Sequence, residues 1–185
     1  MDADLYLLTL KKAYSQSFDL TSGFVAGGRR FDLYGRFAST GEKYVLTRKA
    51  KLWEVQTYEH LLVFRADDFS AGDLPGLTAS IDDSLEPDLV RGGEKYPPEN
   101  HMMTYLTIVV LSEQGFSPET REAVKKFSYT KDYLFTFRGR METHLFLVDL
   151  TNGDVTYSKA GKDFSHIFGD IYKACERKEK RSEEQ

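Results

Sequence analysis

The chain has 185 residues, with 25 Lys plus Arg against 29 Asp plus Glu and a formal charge of −4. Apolar residues make up 41% of it and aromatics 14%, which excludes a disordered segment, and the acid excess is not the balance of a dedicated nucleic-acid binder. One domain over residues 1–175 is expected, followed by a charged, frayed tail over 176–185.

The opening MDADLYLLTL lacks the basic start of a secretory leader. The longest apolar runs, at 61–64 and 105–111, fall far short of the roughly 18 residues that a membrane-crossing helix needs. A cytoplasmic chain with no membrane and no cofactor is the expectation. The single cysteine, Cys175, permits no internal disulfide, and its charged surroundings place it at a solvated helix end.

Residues 2–16 carry Leu7, Leu10 and Tyr14 on one face, with Tyr6 and Ala13 beside them and Lys11 and Lys12 opposite, which is helical spacing. SGFVAGG at 22–28 breaks the pattern and reads as a flexible connection, because its glycines follow a helix instead of leading into one as a phosphate cradle requires. Alternating runs then predict strands near 30–37, 43–53 and 57–65, a three-strand meander. Residues 66–100 hold nine acids, two bases and four prolines. Within them Leu77, Ile81 and Leu85 recur every four residues, predicting a short helix that Pro87 ends.

HMMTYLTIVVL at 101–111 is apolar on both alternation faces after Leu106, as a central strand covered on both sides must be. Ser117, Pro118 and Glu119 start a helix that Lys125 and Lys126 close. Residues 129–137 alternate as a strand, and THLFLVDL at 143–150 turns through Thr151-Asn152-Gly153 into DVTYSK as a hairpin. A last helix over 163–175 has Phe164, Ile167, Phe168, Ile171 and Tyr172 as its stripe. The sum is an α+β domain with a largely antiparallel sheet of six or seven strands, curled or split in two, and helices packed against it.

The opening order of helix, three strands, helix and strand resembles the core of the restriction-endonuclease-like nucleases. Their signature needs an acid on the second strand and D/E-x-K on the third. Residues 43–52 hold no suitable Asp and 57–65 no such triplet, so that chemistry is not expected here.

Seven bases, Arg29, Arg30, Arg36, Lys43, Arg48, Lys49 and Lys51, interleave with Phe31, Tyr34, Phe37 and Tyr44, the makeup of a sheet that holds single-stranded nucleic acid. Symmetric hairpins instead set Asp32 opposite Lys49 and Lys51 opposite Glu59, as on a solvated sheet face, so nucleic acid is not the favoured partner. The same register turns Arg48 and His60 inward. A buried guanidinium needs an anion, which Glu142, Asp149 or a small anionic ligand can supply. Glu142 and His144 share a strand face, the spacing with which a carboxylate and an imidazole converge on a metal beside His60 or His101, although any two strand residues so spaced do the same.

The candidate ligand-binding residues are therefore Arg48, His60, Glu142 and His144, and no catalytic or metal-binding residue is assigned. The favoured function is non-catalytic binding of a protein partner or a small anionic ligand, with a homodimer supported by the many aromatics. The alternative is a hydrolase or metal-dependent enzyme built on the same His/Arg/Glu pocket.

Overall fold

Asp2 opens the first helix: its carboxylate accepts from the backbone N–H groups of Asp4 and Leu5, and α1 (Ala3–Tyr14) then buries Ala3, Tyr6 and Leu10 against the sheet. The computed structural model describes residues 1–43 and 53–183. After α1 come β1 (Asp19–Ala26) and β2 (Arg29–Lys43), joined by Gly27 and Gly28 at φ of 57° and 70°. Two consecutive left-handed residues are what a tight hairpin turn requires, so the stretch expected to be a flexible connection is a strand and its turn.

β3 (Trp53–Arg65) pairs antiparallel with β2, from Leu33 opposite Val63 to Lys43 opposite Trp53. A meander forms, with Arg29–Lys43 as its middle strand between β1 and β3, while the strand expected over 43–53 and the lysines of the expected charge pairs fall almost wholly outside the described residues. Glu59 lies opposite Phe37, while Asp32 accepts from the backbone N–H and the guanidinium of Arg65, both at 2.9 Å. Lys49 and Lys51 fall outside the described residues. Asp32 does put an acid on the true second strand, yet β3 holds no D/E-x-K.

The acidic segment folds onto the sheet. A 3-10 turn (Ala71–Asp73) leads into α2 (Leu74–Ser80), which continues over Ile81–Val90 in the wider π winding and buries Leu77, Ile81 and Leu85 as their spacing predicts. Pro87 does not end it: the Arg91 N–H reaches back five residues to the Glu86 carbonyl at 3.3 Å, a looser ring that carries the winding past the proline. This crossover lets β4 (His101–Ser112) lie parallel to β3, and α3 (Pro118–Lys126) does the same for β6 (Arg140–Asp149). The short β5 (Thr130–Asp132) and β7 (Val155–Tyr157) pair antiparallel with opposite ends of β6.

The sheet order is β1-β2-β3-β4-β6-β5 with β7 also on β6, an open α+β sheet in which four of the six pairings are antiparallel. Helices cover both faces. α1 and α4 (Ser165–Glu183) pack on Leu61, Val63, Val109 and Phe146, while α2, its π extension and α3 pack on Leu62, Phe64, Ile108 and Leu145. The Thr151-Asn152-Gly153 hairpin forms as predicted, and Gly153, at φ 80°, also needs its bare Cα because a Cβ would lie 2.5 Å from the Tyr172 ring. α4 runs on to Glu183, with Lys178 donating to Thr9 at 2.9 Å, and Cys175 is buried against α1 instead of solvated.

The strand expected over 129–137 stops after three residues. Leu134, Phe135 and Thr136 have φ of 49°, 54° and 73°, a run of left-handed non-glycine residues that costs about 1–2 kcal/mol each and turns the chain away from the sheet.

Candidate functional site

Alternation along β3 sends Glu59, Leu61 and Val63 to the α1/α4 face and His60, Leu62 and Phe64 to the other. Between the end of α1, the loop after it and the start of α4 lies a cavity of about 300 Å³. Its walls include Tyr14, Phe18, Phe164 and Ile167, and its floor is Glu59 on β3 with Thr107 on β4. Phe18 reaches this position because Gly35 of β2 leaves room, since a Cβ there would lie 3.1 Å from its ring. The rings of Tyr14 and Phe37 then flank it, with centroids at 4.8 and 5.4 Å.

Thr107 donates from Oγ1 to Oε1 of Glu59 at 2.9 Å. Burial pushes the Glu59 pKa up and the Thr107 hydrogen bond counters only part of that. The Tyr14 hydroxyl is pushed up as well, first by burial and then by the negative charge of Glu59. The cavity therefore combines aromatic walls with a carboxyl group that is poorly compensated when ionised.

His144 stands behind this cavity, beside Thr107 in the β4–β6 register. Its ring packs against those of Tyr105 and Phe164, both at 5.1 Å, in a triangle whose third side is 6.2 Å, and its Nε2 is 3.4 Å from Glu142. Burial pulls its pKa down while Glu142 pulls it up, and the net shift is downward. Only 2% exposed, the imidazole supports the Phe164 wall and is covered by it.

The expected four-residue pocket is divided by the sheet. Glu142 and His144 do meet, on the α1/α4 face. His60 is on the opposite face, its Nδ1 2.8 Å from the Tyr34 hydroxyl, its pKa brought down to about 4 by burial and by Arg36, against an opposing bond to the Leu89 backbone. His101 shares that opposite face, with Nδ1 2.7 Å from the Arg138 carbonyl and Nε2 2.8 Å from the Thr104 hydroxyl. Arg48 lies outside the described residues. Asp149, offered as its counterpart, is occupied by Arg121 and by the backbone and hydroxyl of Thr151. Among the described residues no three His, Cys, Asp or Glu side chains come together as a metal site requires.

Of the basic segment, Arg29 sits over the Phe64 ring at 4.3 Å and Arg36 over Tyr58 at 5.5 Å, while Phe31 is buried. None of the described helices is long and apolar enough to cross a membrane. Glu59 was legible in principle: it is the one acid of 57–65 and stands in phase with Leu61 and Val63, just as Thr107 stands in phase with Val109 and Leu111. An acid in phase with core positions marks a buried carboxyl. The shifted register, which set Glu59 against a lysine, hid it.

A search of curated proteins finds no match, and a search of solved structures finds none. A family model described as Domain of unknown function (DUF8052) matches residues 2–170, a span that takes in the cavity from Ala13 to Phe168. The chain belongs to this DUF8052 family.

Proposed function

We propose a binding protein without chemistry of its own, whose ligand is a small molecule with an apolar body and a cationic or hydrogen-bond-donating end, seated in the cavity over Glu59. The observation that carries this reading is a carboxyl group with a raised pKa at the base of an aromatic-walled cavity. Burying an ionisable group with few partners is unfavourable, and a donor arriving with a ligand relieves that penalty. A volume of about 300 Å³ is at the small end of ligand sites, enough for one ring or a short chain.

The preference for an anion rested on Arg48, whereas the described floor presents an acid, which favours a cation over an anion. The test is thermal unfolding of the full chain with a panel of aromatic and aliphatic amines and their carboxylate counterparts. An amine at about 100 times its dissociation constant adds roughly 2.7 kcal/mol of stability. The matched carboxylate adds none, and Glu59→Gln abolishes the amine response. A panel flat for amines, or a response that survives Glu59→Gln, overturns the reading.

A further inference from the structure

Gly35 lies buried inside β2, and its backbone is not in the left-handed region that favours glycine, unlike Gly23 of β1 at φ 69°. Glycine weakens the interior of a strand, so one with an ordinary backbone is kept there for the room it leaves. A Cβ on Gly35 would lie 3.0 Å from Leu20 Cδ2 and 3.1 Å from Phe18 Cδ1, and Phe18 is a wall of the cavity over Glu59. We infer that Gly35 is the specificity-determining residue of that cavity, and that the width it preserves admits an amine carrying an aromatic ring. The inference rests on the cavity being a ligand site and names the class of ligand.

Leu20, Gly35, Leu61 and Thr107 stand side by side on four successive strands of the α1/α4 face. Thr107 on the cavity floor is therefore two strands, roughly 10 Å, from Gly35. The bare Cα lets the Phe18 ring lie down against the sheet at the far end of this row. The other sides of the ring are taken: Leu20 crowds it from β1, and the rings of Tyr14 and Phe37 lie at 4.8 and 5.4 Å. Its open side is the cavity, so a group added to Gly35 drives the ring into the space above Glu59.

Both sides of that space are aromatic. Tyr14 and Phe18 line it from the α1 side and Phe164 and Phe168 from the α4 side, so a ligand ring meets rings on either hand. Ring pairs in offset or edge contact gain beyond the area they bury, which an alkyl chain does not. The mouth is bordered by Ala13 and Ser17, small exposed residues past which a ring can enter. The ammonium group of such a ligand reaches the Glu59 carboxylate while its ring lies against Phe18.

The experiment is ligand-dependent thermal unfolding of the full chain with phenethylamine and ethylamine as probes. The wild type is expected to prefer phenethylamine by about tenfold or more, the gain from burying a ring. Gly35→Ala is expected to lose most of that preference, and Phe18→Leu added to it to regain most of it by giving the Cβ room. Phe18→Leu alone, which leaves the strand untouched, is expected to bind naphthylethylamine about tenfold more tightly than the wild type does. Should Gly35→Ala not fold, the naphthylethylamine comparison decides alone. A preference that survives Gly35→Ala, or naphthylethylamine binding that Phe18→Leu does not improve, overturns the proposal while the cavity remains an amine site. A wild type that answers to no amine overturns the cavity reading itself and this proposal with it.

Discussion

Two carboxyl groups lie on opposite faces of the sheet and are treated in opposite ways. Glu86, on the π-wound segment, is wholly buried and receives Arg91 Nε and Lys131 Nζ at 2.8 Å and the Tyr133 hydroxyl at 2.7 Å. Burial pushes its pKa up, but those three bonds more than reverse the shift and hold it below the ordinary range. Glu59 receives Thr107, and its pKa is raised. The first acid is fully answered by its own chain and is structural. The second faces open space with its charge poorly met, which is the condition of a group that waits for a ligand.

The comparison breaks most visibly if Glu86 is removed. Glu86→Leu strands the Tyr133 hydroxyl and two cations, and a loss of about 3 kcal/mol is expected, the lower end for a broken buried pair because Arg91 and Lys131 retain access to water. Urea unfolding at pH 7 measures it, and the amine response over Glu59 should remain.

The next effect comes from pH. His60 titrates near 4 when folded against 6.5 unfolded, so within that window the unfolded chain takes up a proton that the folded chain refuses. Stability therefore falls as pH is lowered from 6.5 towards 4, by about 3 kcal/mol in full, and the lowered pKa of Glu86 extends the loss below 4.5. Urea midpoints at pH 7 and pH 4.5 check the slope. His60→Gln should reduce it, leaving the part that the lowered pKa values of His101 and His144 contribute with the same sign.

How far each face was legible follows from its register. The spacing of Leu77, Ile81 and Leu85, the doubly apolar run of β4 and the Asn-Gly hairpin carry their own geometry; the strand and the hairpin form as read, and the helix buries its three residues but runs on past Pro87. Gly27-Gly28 carries as strong a turn signal, and reading it as a loose connection slid the meander's middle strand along the chain. That slip hid Glu59 and joined His60 to a pair on the other face. The parallel pairings of β3, β4 and β6 were beyond local pattern, because a strand's own alternation does not say which neighbour it meets. The exposed Phe135 and Phe137 continue the alternation of 129–133 and differ from core positions only through a left-handed backbone that no residue type there announces.

The smallest effect separates the faces most sharply. Because the Glu59 pKa is raised on folding, its contribution is fully present below pH 4.5 and is lost as pH rises through its folded value, so at pH 7 its charge weighs against the folded state. Glu59→Gln keeps an acceptor for Thr107 and removes that charge. At pH 7 the variant is expected to gain stability on the order of 1 kcal/mol, a gain that vanishes in acid, and to lose the amine response together with it. A residue whose replacement improves the fold while abolishing binding is retained for binding. Should urea unfolding at pH 7 show Glu59→Gln to be less stable than the wild type, Glu59 is a structural acid like Glu86, and the cavity above it loses its claim to a ligand.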